Sequence, residues 1–121
     1  MSESGKDKAM KWVIMAEGGY VNNRHDPGGE TKYGISKRAY PDTDIKNLTE
    51  QGAIAIYEKD YWHVRGIDLL PYPLDCAVFD MGVNSGQPVA VKILQCLIDT
   101  TSDGVIGQIT LGKSARMMLK N

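Results

Sequence analysis

Residues 18–34 hold five glycines, one proline and two asparagines within 17 positions. No regular helix tolerates that density, because glycine loses the most freedom on ordering and proline removes a backbone donor. The sequence on either side carries helical periodicity. The chain must therefore be a helical protein interrupted by one long, structured loop, with room for a small β-hairpin. A polar loop of this length in a chain of 121 residues usually serves function rather than connection.

Helical spacing marks the remaining elements. From Lys6 to Glu17, the residues Ala9, Trp12, Val13 and Ala16 recur on one face, and Gly18-Gly19 ends the run with a left-handed cap. Ser36 is placed to cap a short helix that Pro41 stops. Thr49 is an N-cap for a helix from Glu50 to Trp62, with Ala53, Ile56, Tyr57 and Tyr61 on one face. A helix from Leu74 to Val83 is expected to bury Leu74, Ala77, Val78 and Met81. After the Asn84-Ser85-Gly86 turn, Ser85 or Gln87 caps a helix facing inward with Ala90, Val91, Leu94, Leu97 and Ile98. A loop from Asp99 to Gly107 leads to a last helix, Thr110 to Leu119. The fold class is thus mainly α, with five or six helices in a single domain.

Charge and cysteines exclude several functions. With 14 basic and 15 acidic residues the formal net charge is −1, which lacks the basic footprint of a nucleic-acid binder. No polybasic block or long apolar run suggests stable membrane association. The polar N-terminus, Met1 to Lys8, has no signal-peptide pattern. Cys76 and Cys96 lie in apolar periodic segments and read as buried thiols. Trp12 and Trp62 read as core residues rather than sugar platforms.

Glu17 is the leading chemical candidate. It lies four residues after Val13, at the end of the first helix. The negative end of the helix dipole and desolvation beside Trp12 and Val13 both favour the protonated acid, as a general acid near neutral pH requires. Asp26 follows nine residues later, then Glu30, Thr31 and Tyr33. Two carboxyl groups around a glycine-rich loop suit glycosidic cleavage, one protonating the leaving oxygen and the other acting as base, nucleophile or stabiliser. Tyr20 and Tyr33 could stack on pyranose faces. His25 could tune Asp26, bind substrate or simply stand exposed in the loop. His63 follows Trp62 at a helix end, where it complements the dipole.

The stretch EGGYVNNRHDPGGETKYGIS, Glu17 to Ser36, resembles the N-terminal signature of glycoside hydrolase family 108, which contains phage-type endolysins and bacterial N-acetylmuramidases. Glu17-Gly18-Gly19-Tyr20 matches its EGGY motif. Asp26-Pro27-Gly28-Gly29, Thr31 and Tyr33-Gly34-Ile35 match its second segment, and Tyr61-Trp62 and Phe79 to Gly86 resemble later blocks. The resemblance covers roughly residues 8–98. It implies a lysozyme-like fold and cleavage of the β-1,4 bond between N-acetylmuramic acid and N-acetylglucosamine, with Glu17 as the essential acid. Asp26 is the first choice for the second carboxylate, with Glu30 and Asp80 behind it. Tyr20, Glu30, Thr31, Tyr33, Asp80 and Asn84 are the expected substrate contacts.

The segment Asp103-Gly104-Val105-Ile106-Gly107 with Thr110-Leu111 resembles the start of a peptidoglycan-binding segment. The expected organisation is therefore a catalytic domain over residues 1–98 and the truncated beginning of that segment over 99–121. No cofactor and no metal are expected, the expected partner is the peptidoglycan glycan strand, and the protein is expected to act on it as a monomer. The expected location is the bacterial cytoplasm, with action on the wall after holin-type release. Two alternatives use the same polymer: a wall-binding or assembly protein without activity, and a zinc amidase or endopeptidase using His25, His63 and a carboxylate.

Overall fold

The computed structural model describes residues 4–22, 25 and 29–119. Its elements are α1 (Gly5–Glu17), β1 (Val21–Asn22), β2 (Glu30–Lys32), β3 (Ile35–Ser36), α2 (Glu50–Tyr57), α3 (Leu74–Ser85), α4 (Gln87–Leu97) and α5 (Gln108–Leu119). A π-helical turn, Glu58–Trp62, follows α2, and a 3-10 turn covers Ile67–Leu69. The fold is mainly α with one small antiparallel sheet, as the sequence pattern predicts. The chain divides into two compact units, Met10–Tyr57 and Met1–Ala9 with Glu58–Asn121.

In the unit Met10–Tyr57, Gly18 at φ +77 ends α1 as expected, its N–H bonded to the Ile14 carbonyl at 3.3 Å. The glycine-rich stretch forms the sheet β1-β2-β3, with Val21 opposite Thr31 and Lys32 opposite Ile35. Tyr33 and Gly34 make the two-residue link from β2 to β3, and both have positive φ, +53 and +81. Positive φ at both central residues is what the right-handed twist of a tight hairpin demands. Ser36 belongs to β3, and its hydroxyl accepts from the Ala39 N–H at 3.1 Å. The residues after it form a turn and not the expected short helix. Thr49 does cap α2, its hydroxyl accepting from the Gly52 N–H at 3.0 Å. Met10, Val13, Ile14, Ile35, Ile45, Ala53 and Tyr57 are buried. Trp12 is 63% exposed, against the core role read for it, and Met15 beside it is exposed too.

In the other unit, the π turn is closed by the His63 N–H on the Glu58 carbonyl, five residues back. It buries Trp62, whose ring meets Phe79 edge-to-face at 5.6 Å, while Tyr61 stays half-buried. Such an aromatic pair adds roughly 0.5–1.5 kcal/mol beyond its area. α3 runs two residues further than expected and buries Val78, Phe79 and Gly82; Leu74 is half-buried, and Ala77 and Met81 are exposed. Gly86 alone separates α3 from α4, at φ +94 and ψ 140, a conformation reserved for glycine. Neither Ser85 nor Gln87 provides a side-chain cap for α4; Pro88 in its first turn lacks a donor that would be orphaned there in any case. α4 buries Ala90, Val91, Leu94 and Gln95, whereas Leu97 is 75% exposed. Cys96 is exposed and Cys76 half-buried, so neither is the buried thiol expected.

Gln95 organises the loop before α5. The two hydrogens of its amide nitrogen are shared among Asp103 Oδ1 at 2.9 Å, the Val105 carbonyl at 2.9 Å and Thr110 Oγ1 at 3.1 Å. Its amide oxygen accepts from the Gly104 N–H at 2.9 Å. The side chain is fully buried, and the bonds to Thr110 and the Gly104 N–H are made where water cannot substitute.

Candidate active site

Glu17 is the last residue of α1 and is exposed to solvent. The desolvation expected from Trp12 and Val13 is therefore not what surrounds it: α1 turns Val13 inward and Trp12 outward. What bounds the glutamate is the β2–β3 turn. A β-carbon placed on Gly34 would lie 2.9 Å from Glu17 Cγ and 3.1 Å from its Cβ, so only a glycine lets the turn come this close. The Tyr33 N–H donates to the Gly18 carbonyl at 2.9 Å, tying the same turn to the end of α1.

The sheet brings Tyr20 and Glu30 together. The Tyr20 hydroxyl donates to Glu30 Oε2 at 3.0 Å. Partial desolvation, then the hydrogen bond and charge of Glu30, push the phenol above its usual range, with Asn22 opposing. Thr31 sits on the central strand, opposite Val21 on one side and Ser36 on the other, and is half-buried. Tyr33 is half-buried in the turn, and the Lys32 ammonium stands 5.6 Å from its ring centroid. The Lys32 ammonium also donates to the Lys46 carbonyl at 3.0 Å. His25 is exposed, while Asp26 lies outside the described residues.

Asp80 and Asn84 stand on α3, in the other unit. The Asn84 amide donates to the backbone carbonyl of Asp80 at 3.0 Å, one turn earlier on the helix. His63 does not simply face a helix end: its Nδ1 lies 2.9 Å from Asp68 Oδ2. Among the described residues no group of three or more His, Cys, Asp or Glu is arranged to hold a metal ion. Among them also, no helix is long and apolar enough to cross a membrane. An open groove of about 500 Å³ lies along the segment before α5, lined by Thr100, Thr101, Asp103, Val105 and the first turn of the helix. In that segment Asp103 is held below the usual carboxylate range by the Val105 N–H and the Gln95 amide.

Two participants are not evident from the sequence pattern. Helical spacing puts Tyr57 on the apolar face of α2, yet its hydroxyl donates to the Tyr33 carbonyl at 2.6 Å. A tyrosine at a core position is itself a signal, since its hydroxyl needs a partner when buried. Gln95 interrupts an apolar helical stripe, and a polar residue there announces a buried network.

A family model described as Glycosyl hydrolase 108 matches residues 10–86. The solved structure of Brucella abortus SagA is similar at a TM-score of 0.76 and 38% identity, over 93% of this chain and 69% of that one. No curated protein matches the chain. The mainly α, lysozyme-like fold expected from the resemblance is the one observed. With the matched segment running from α1 through the sheet to the end of α3, the chain belongs to glycosyl hydrolase family 108 and is a glycoside hydrolase.

Proposed function

We propose that this glycoside hydrolase is a muramidase, which cleaves the β-1,4 bond between N-acetylmuramic acid and N-acetylglucosamine in peptidoglycan. The observation that carries the reading is the setting of Glu17: a solvent-accessible carboxyl at a helix end, bounded by a glycine turn of the adjoining sheet. A sugar strand can reach such a group, and the turn limits where its carboxyl can go. Glu17 donates its proton to the glycosidic oxygen as the bond breaks. A second carboxylate activates water or stabilises the oxocarbenium-like charge.

Asp26 takes the second role. Glu30, the competing acid of the same unit, is engaged by the Tyr20 hydroxyl, which suits it to orienting that ring. Tyr20, Glu30, Thr31, Tyr33, Asp80 and Asn84 contact the substrate. The catalytic function belongs to residues 1–98, and the groove at Thr100 to Val105 supports a role for 99–121 in holding the wall.

The test is digestion of purified peptidoglycan with mass spectrometry of the products. The native enzyme should release fragments with a free reducing muramic acid end. Glu17→Gln should keep the fold and lose about 10²–10⁴-fold in rate, the usual worth of general acid catalysis. Near-native digestion by Glu17→Gln, or products cut at an amide bond, would overturn the reading.

A further inference from the structure

The residue that links β2 to β3 is held in an unusual state. Tyr33 has φ +53, a left-handed conformation that a bulky side chain keeps only when its surroundings over-determine it. Both of its backbone polar groups are engaged. Its N–H donates to the Gly18 carbonyl at 2.9 Å, and its carbonyl accepts from the Tyr57 hydroxyl at 2.6 Å. Tyr57 ends α2 and is 2% exposed, so the donor approaches from a packed, fixed position.

Gly34 follows at φ +81 and presents a bare α-carbon to two side chains. A β-carbon there would meet the Tyr57 hydroxyl head-on and would press on Cγ and Cβ of Glu17. Glu17 and Tyr57 therefore converge on the bare α-carbon of Gly34, within the unit Met10–Tyr57.

We infer that Tyr57 is a positioning residue for Glu17: its phenol locks the Tyr33–Gly34 turn into the wall that restricts the glutamate side chain. Tyr57 need not touch the substrate to do this. An exposed glutamate samples several rotamers, and an acid must lie within hydrogen-bond reach of the oxygen it protonates. Misplacement by about 1 Å can cost ~10²-fold in rate. Loss of the phenol frees the Tyr33 carbonyl and lets the strained turn relax away from Glu17. The inference rests on Glu17 being the general acid, and its test is built so that the two can fail separately.

The test compares Tyr57→Phe, Gly34→Ala and Glu17→Gln on soluble, uncross-linked peptidoglycan strands with a fluorescent label. Folding is checked by thermal melting. Tyr57→Phe keeps the ring and removes the bond. It should lower kcat by about tenfold or more and leave KM within about twofold, the pattern of an interaction needed in the transition state rather than for binding. Gly34→Ala should act in the same direction, since it displaces Glu17 directly. An active Glu17→Gln enzyme removes the muramidase reading. An inactive Glu17→Gln enzyme beside a folded Tyr57→Phe enzyme of native kcat overturns this inference alone. So does a change confined to KM. If Tyr57→Phe does not fold, a folded Gly34→Ala enzyme of native kcat overturns it equally. If neither variant folds, the contact braces the unit and has no separate part in positioning.

Discussion

Replacing Gln95 by leucine tests the densest buried hydrogen-bond network of the segment before α5. Leucine fills similar volume but makes none of the four hydrogen bonds of the amide. The Gly104 N–H is buried and loses its partner, and an orphaned buried donor costs about 1–3 kcal/mol. The bonds to the Val105 carbonyl and Thr110 add net losses of roughly 0.5–1.5 kcal/mol each. Thr110 keeps a weaker contact to the Val105 carbonyl at 3.4 Å, and exposed Asp103 regains water. Some of the loss is returned because the amide no longer has to be dehydrated. The expected net loss is about 2–4 kcal/mol. At roughly 4–8 °C per kcal/mol for a small domain, the melting temperature should fall by on the order of 10 °C or more. Urea unfolding followed by circular dichroism gives the free energy, and calorimetry gives the temperature. A loss under about 1 kcal/mol would mean that the loop finds other partners and that the network is not what holds it.

Asp103→Asn should flatten the acid side of the stability profile. Hydrogen bonding holds the folded carboxyl below its unfolded value, so its contribution is present above the ordinary carboxylate range and is lost as pH falls through the folded value; unchanged acid unfolding in the variant would contradict this. Iodoacetamide at about pH 8 should modify exposed Cys96 well before Cys76, whose thiol is pushed up to about 11 by burial and by the charge of Asp75; equal rates measured by mass spectrometry would refute the order. Asp26→Asn should reduce wall digestion more than Glu30→Gln or Asp80→Asn, and the reverse ranking would move the second carboxylate role to the more damaging site.

The helices were legible because their ends carry their own chemistry. Gly18 and Thr49 stop and start α1 and α2 through bonds that depend on the immediate neighbours alone. Faces were harder. On α3 the periodicity favours Leu74, Ala77 and Met81, but the helix turns Phe79 and Gly82 inward. Gly82 is buried but has no side chain to register in a hydropathy pattern. Exposed Trp12, Leu97 and Cys96 show the same limit from the other side, since an apolar residue signals what it prefers and not whether a neighbour is present to cover it. Around Glu17 the motif glycines were visible, yet the contact of Gly34 with Glu17 and the reach of Tyr57 to Tyr33 span 17 and 24 residues of sequence. No local pattern encodes contacts at that separation.

The one-residue link at Gly86 sets a time order for folding. Closing a chain costs entropy that grows with the length of the loop, and between α3 and α4 there is almost no loop to close. Their apolar faces can therefore meet early, among the most local tertiary contacts the chain offers. The bond from the Cys76 thiol to the Gly5 carbonyl closes 71 residues and can form only after much of the intervening chain is in place. A side chain at Gly86 should accordingly slow refolding if this corner forms early, which stopped-flow refolding of Gly86→Ala would read. A side chain at Gly5, where a β-carbon would lie 2.6 Å from the Tyr72 ring, burdens the native state instead and appears as faster unfolding.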